Sequence, residues 1–86
     1  MKTVYKFKIR SDDCTADMPV GAKLLSVGTQ GMDIYAWAIV DTTVNQFRLV
    51  RFNIYGTGYP LPENPGEFVS TVFMGDLVFH VFRKPD

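Results

Sequence analysis

The chain has 86 residues, 47% hydrophobic and 14% aromatic, a length that makes one domain, 1–86, with a small core, and a hydrophobicity that excludes a disordered polypeptide. Nine Lys and Arg balance nine Asp and Glu, which excludes a global field drawing the whole molecule to nucleic acid or to an anionic membrane.

The first predicted strand is Lys2 to Arg10, where Thr3, Tyr5, Phe7 and Ile9 alternate with Lys2, Lys6, Lys8 and Arg10, Val4 being the exception. Its basic face can track phosphates or guard an exposed edge against pairing. The same alternation forms no apolar block of the kind a signal peptide or anchor requires. No window approaches the roughly 18 apolar residues of a membrane span, so no membrane contact and a cytoplasmic setting are expected. Asp12, Asp13 and Asp17 follow in a segment without the Gly and distal Glu of a calcium loop, and read as solvated turn residues. Cys14, the one cysteine, cannot close an internal disulfide and with His80 falls short of a metal cluster; neither metal nor cofactor is expected.

Met18-Pro19-Val20-Gly21 is a turn, and Ala22 to Thr29 a second strand with Leu25 and Val27 on its core face and Gly28 at a bulge. A helix there would be about two turns long between glycines, too short to nucleate. Asp33 to Tyr55 reads as a central β-hairpin. Its first arm turns Tyr35, Trp37 and Ile39 inward; its second turns Val50, Phe52 and Ile54 inward and Arg51, Asn53 and Tyr55 outward. The break Asp41 to Gln46 lacks Asn-Gly or Asp-Gly, which predicts a longer loop.

Gly56 to Phe68, GTGYPLPENPGEF, holds three glycines and three prolines without apolar period. Gly56-Thr57-Gly58 lacks the helix start and Lys-Ser/Thr pair of a phosphate loop. Prolines stiffen the segment, so Tyr55, Thr57, Tyr59, Leu61 and Glu63 form a candidate binding surface; the alternative is a lid folded back on the domain. Glu67 to Arg83 reads as a second hairpin turning at Gly75-Asp76. His80 has no Ser, Cys or carboxylate at a suggestive spacing, and no oxyanion-loop signature accompanies a Cys14 and His80 pair, so no catalytic residue is assigned.

Short strands punctuated by turns predict an all-β fold of about six strands with little or no helix, a small antiparallel barrel or a two-layer sandwich. Its expected core is Tyr5, Phe7, Ile9, Leu25, Val27, Tyr35, Trp37, Ile39, Val50, Phe52, Ile54, Val72, Phe79 and Val81. Leu77 to Phe82 is apolar on both faces, which points to a weak homodimer through that strand.

MPVGAKLLSV at Met18 to Val27, YAWAIVD at Tyr35 to Asp41, IYGTGYPLP at Ile54 to Pro62 and LVFHVF at Leu77 to Phe82 occur in an order that resembles a family of small phage and prophage proteins of unknown function. The resemblance covers nearly the whole chain and implies a compact β domain in the host cytoplasm, without supplying a catalytic residue. The family pattern has His after GTG where this chain has Tyr59. The functional expectation is a non-enzymatic phage accessory protein that binds a host or phage protein, possible targets being a host defence or polymerase complex. One alternative is a β-barrel binding single-stranded nucleic acid through Lys2, Lys6, Lys8, Arg10, Arg48 and Arg51, which the neutral charge disfavours; another is a virion or tail-associated structural protein.

Overall fold

The computed structural model describes residues 1–85. These form seven strands and no helix: β1 (Lys2–Lys8), β2 (Thr15–Pro19), β3 (Lys23–Gln30), β4 (Asp33–Asp41), β5 (Phe47–Gly56), β6 (Glu67–Met74) and β7 (Leu77–Arg83). Every pairing is antiparallel. One sheet has the order β1-β4-β3 and the other β2-β5-β7-β6, so the domain is a two-layer sandwich.

Both ends of the strand order come close to closing the sandwich. On one side the chain passes directly from β1 to β2, with Arg10 N–H donating to the Thr15 carbonyl at 2.8 Å and Cys14 N–H to the Arg10 carbonyl at 2.9 Å. On the other, β3 meets β6 through side chains: Val27 N–H donates to Ser70 Oγ at 3.0 Å, and Thr29 Oγ1 donates to the Phe73 carbonyl at 2.9 Å. Hydroxyls stand there in place of a backbone ladder, so the layers remain separate and do not close into a barrel. Register shifts lie on both strands at this seam, between Leu24 and Ser26 and between Phe68 and Ser70. Bulges of this kind add twist and blunt an edge against outside strands.

The core between the layers is Ile9, Ala16, Met18, Val27, Ala36, Ala38, Val40, Val50, Phe52, Val72 and Val81, with Phe7, Leu24, Ile34, Ile54 and Phe79 packed against it. On β4 the inward face is therefore Ala36, Ala38 and Val40, not Tyr35, Trp37 and Ile39. Small side chains in the middle strand leave room for Met18 and Phe52 from the opposite layer, and the large ones take the outer face. Leu25 is 48% exposed because the bulge at that position hands its inward place to Leu24, while Gly28 pairs regularly with Tyr35. Tyr5 points towards the inner side opposite Ala38 but, on an edge strand, remains 50% exposed.

The expected central hairpin does not form. β4 lies between β1 and β3 while β5 lies between β2 and β7, and the 42–46 connection carries the chain from one sheet to the other. Asp41 starts that crossing by accepting the Thr43 N–H at 3.0 Å and the Thr43 hydroxyl at 2.8 Å. The Glu67 to Arg83 hairpin does form, with Gly75 at positive φ in its two-residue turn. The seventh strand is β2, in a segment that reads locally as turn residues; Pro19, its last residue, sits on a sheet edge where no ladder N–H is needed. β7 is an interior strand, so Leu77 to Phe82 offers no free edge for strand pairing between copies.

Because β5 and β6 are both antiparallel to the β7 between them, they run in the same direction, and residues 57–66 must return along β7 before β6 can begin. Asn53, outward on β5, holds this return by donating from Nδ2 to the Pro65 carbonyl at 2.9 Å. Gly66, at φ +108, passes so close to β7 that a Cβ there would collide with the Arg83 carbonyl.

Candidate functional site

The outer face of the four-stranded sheet is built by alternation from three neighbouring strands. Pairing of Asn53 with Phe82, Tyr55 with His80, Phe68 with Phe82, Thr71 with His80 and Phe73 with Val78 puts all of these on one side. Tyr55, Phe82 and Phe68 form a row of edge-to-face rings across β5, β7 and β6, with centroids 5.9 Å and 5.6 Å apart. Beside this row Phe73 is 64% exposed and Phe68 56%, while Val78, His80 and Phe82 are half-buried.

His80 is fixed between two threonines. Thr57 Oγ1 lies 2.7 Å from Nε2 and 3.3 Å from the Val78 carbonyl, and Thr71 Oγ1 lies 3.0 Å from Nδ1. If Thr57 donates to the carbonyl, its oxygen accepts Nε2–H and Thr71 donates to Nδ1, which satisfies every group with a neutral imidazole. The ring is oriented as part of the face. Its bonded partners are hydroxyls and not carboxylates.

The sequence-predicted binding residues do not all belong to this face. Thr57 continues the β5–β7 ladder, its N–H donating to the Val78 carbonyl at 3.1 Å. Tyr59 closes a turn on the Gly56 carbonyl at 3.1 Å, packs its ring over Gly56 and is 72% exposed; Leu61 is 53% exposed and Glu63 is exposed. Tyr55 belongs to the sheet itself. The structure brings Tyr55 and Thr57 to this face with His80, whereas the Tyr59 ring covers Gly56 on the opposite side, where Phe79 lies; Phe68, Phe73, Val78 and Phe82 were missed. A signal for them exists in the second hairpin, which carries aromatic residues at both parities.

The basic residues separate into three places. Lys2, Lys6 and Lys8 share the outer face of the three-stranded sheet. Arg10 is held in the β1–β2 turn, with Nη1 on Asp17 Oδ2 at 3.0 Å, Nη2 on Thr15 Oγ1 at 2.6 Å and an ion pair to Asp13 at 3.6 Å. The hydrogen bond to Asp17 raises its pKa further. Arg48 and Arg51 lie on β5 at opposite parities, so the six do not form one track.

Cys14, at φ +56, lines a cleft of about 300 Å³ at one end of the sandwich with Ile9, Met32, Ile34, Ile54 and Met74. Burial, with Asp13 and Asp12 adding repulsion, pushes the thiol pKa up and keeps it protonated. The thiol and the His80 ring belong to different surfaces, so no Cys and His pair is formed. Among the described residues no group of three His, Cys, Asp or Glu is placed to hold a metal ion, and no helix is long and apolar enough to cross a membrane.

A family model described as a domain of unknown function, DUF7352, matches residues 1–86. No curated protein and no solved structure matches the chain.

Proposed function

The chain belongs to the DUF7352 family, whose description assigns no function, and from the surface it displays we propose that it is a non-enzymatic protein-binding module. The observation that carries this reading is the row Tyr55, Phe82 and Phe68, with Phe73 further along the same face beyond the Thr71 and His80 pair. Exposed Phe68 and Phe73 and the half-buried rings of Tyr55 and Phe82 share one side of a rigid sheet, where binding orders little that is not already ordered. Thr57, Thr71 and His80 supply polar groups inside the patch, and Glu63 and Glu67 stand at its rim. The prolines of the 57–66 return stiffen the border nearest the partner.

The resemblance to small phage and prophage proteins supplies the setting: the partner is a host or phage protein, and occupying its surface is sufficient for inhibition. The test replaces exposed Phe73 by a photoreactive phenylalanine and irradiates the protein in host lysate. A discrete crosslinked protein, lost when Phe68→Ser is added, is the expected result. Absence of any crosslink above background, or one that Phe68→Ser does not change, would count against this face.

A further inference from the structure

Neutral overall charge conceals a segregation. The outer face of the three-stranded sheet carries Lys2, Lys6, Lys8 and Lys23, four of the nine basic residues, around Tyr35, Trp37 and Ile39. Its two carboxylates stand at opposite ends of β4 and are already engaged, Asp33 by Lys8 at 3.4 Å and Asp41 by the N-terminal ammonium at 3.6 Å. Among the described residues no carboxylate is ion-paired with Lys2, Lys6 or Lys23. Asp12, Asp13 and Asp17 are gathered in and beside the β1–β2 turn, and Glu63, Glu67 and Asp76 belong to the other sheet and its loops. Positive charge is therefore in excess on this face.

At its centre is Trp37. Lys6 stands opposite it on β1 and Ser26 on β3; Ile39, one step along β4, is flanked by Val4 and Lys23. Gly28 leaves room for the end of the ring, since a Cβ there would approach Trp37 Cζ3 to 3.3 Å, and the ring is tilted 57° against Tyr35 at 6.1 Å between centroids. The indole is half-buried, with part of its surface open to solvent. Tyr35 is already capped: Lys6 Nζ sits 4.6 Å from its ring centroid and is hydrogen-bonded to Gln30 Oε1. At ~3.3 Å rise per residue and ~4.8 Å between strands, Lys2, Lys6, Lys23 and Trp37 share a patch about 13 Å long and 10 Å wide.

We propose that this face, opposite the aromatic face of the other sheet, binds single-stranded nucleic acid, stacking a base on Trp37 and setting phosphates against Lys2, Lys6 and Lys23. An aromatic ring flanked by ammonium groups that no carboxylate among the described residues neutralises is what a single strand requires: every base has a π-face to stack, and cations follow the backbone irrespective of sequence. A duplex would hide its bases, whereas in a single strand each nucleotide carries both a base to stack and a phosphate for the lysines. Arg10, tied to Asp13 and Asp17, and Arg51, on the other sheet, take no part.

Trp37 is the sole tryptophan, so the protein carries its own reporter. Titration with oligothymidylate or oligouridylate is expected to quench its fluorescence. With about three phosphate contacts, affinity should fall roughly 20-fold between about 50 and 200 mM salt. Lys6→Glu and Lys23→Glu, both at exposed positions, should each weaken binding and lower the salt slope by about 0.7, with unchanged circular dichroism. Arg51→Glu should leave binding as it was. The proposal is overturned by absence of quenching at about 50 mM salt, by salt-independent quenching, by equal binding to heparin or anionic vesicles, or by loss of binding in Arg51→Glu. No protein partner enters the assay, so its result is separate from the test of the aromatic face.

Discussion

Trp37 and Ala38 are neighbours on β4 whose roles reverse what their sizes suggest. Ala38 is fully buried between the layers, and Trp37 is half-buried outside. Ala38→Leu should therefore cost about 1–3 kcal/mol by overpacking, whereas Trp37→Phe, a change between large rings on an open face, should cost less than about 1.5 kcal/mol. Urea unfolding of the two variants checks the order, and a larger loss for Trp37→Phe would contradict the placement. Alternation was enough to read Ile9, Val27, Val50, Phe52, Val72 and Val81 as core. It failed on β4 because both parities there are apolar, and the choice between them depends on the gap between sheets, which no local pattern contains.

Asp13 gives a prediction of a different kind at this scale. Its carboxylate accepts the Thr15 hydroxyl at 2.7 Å, which with the charge of Arg10 holds its pKa below the ordinary value. A carboxylate depressed in the folded state contributes stability at neutral pH, where it is ionised in folded and unfolded chains alike. That contribution is lost as the pH falls from its unfolded pKa through its lower folded one. Thr15→Val removes the first of these causes, so the Asp13 titration followed by NMR should move upwards. An unmoved titration would mean that the hydroxyl is not what lowers it.

Among the elements, the two bulges decide most of what the pattern could not show. Phe68 and Phe73 are five residues apart, which in a regular strand places them on opposite faces; the extra residue at Val69 brings both to the outer face. The same displacement on β3 exchanged Leu24 for Leu25. Tyr55 and Thr57 were legible as part of the candidate site, since the glycines and prolines around them mark the strand exit directly, but Phe68, Phe73 and Phe82 and the side taken by Tyr59 required the register. The return over β7 has its own weak point: Gly66→Ala would meet the Arg83 carbonyl and force a strained φ, costing about 1–3 kcal/mol for the backbone strain alone. An unchanged melting temperature in Gly66→Ala would show that the return does not run tightly against β7.

For the molecule as a whole, the sandwich separates an aromatic face from a basic one, and each exterior comes from a different sheet. With β7 interior, self-association cannot run through the ladder groups of Leu77–Arg83, and the exposed aromatic face is the contact expected instead. A weak dimer near the small end of roughly 1,200 Å² should therefore respond to the aromatic face. Sedimentation of Phe73→Ser is expected to show only monomer at concentrations where the parent protein dimerises; persistence of the dimer would move the contact elsewhere.

The place of β7, last of the described strands yet enclosed between β5 and β6, bears on how the protein is made. A ribosome delivers β1 to β6 first, and during that interval β5 lacks one neighbour and β6 has no ladder partner at all. The turn at Gly75-Asp76 lets β7 pair locally with β6 as it emerges, and that ribbon can then slot against β5. Translation thus withholds the finished layer until residues 77–83 are free. A nascent chain halted at Met74 would expose Phe52, Val72 and the other core residues to chaperones and proteases, so the cell would recognise an interrupted copy by its missing middle strand.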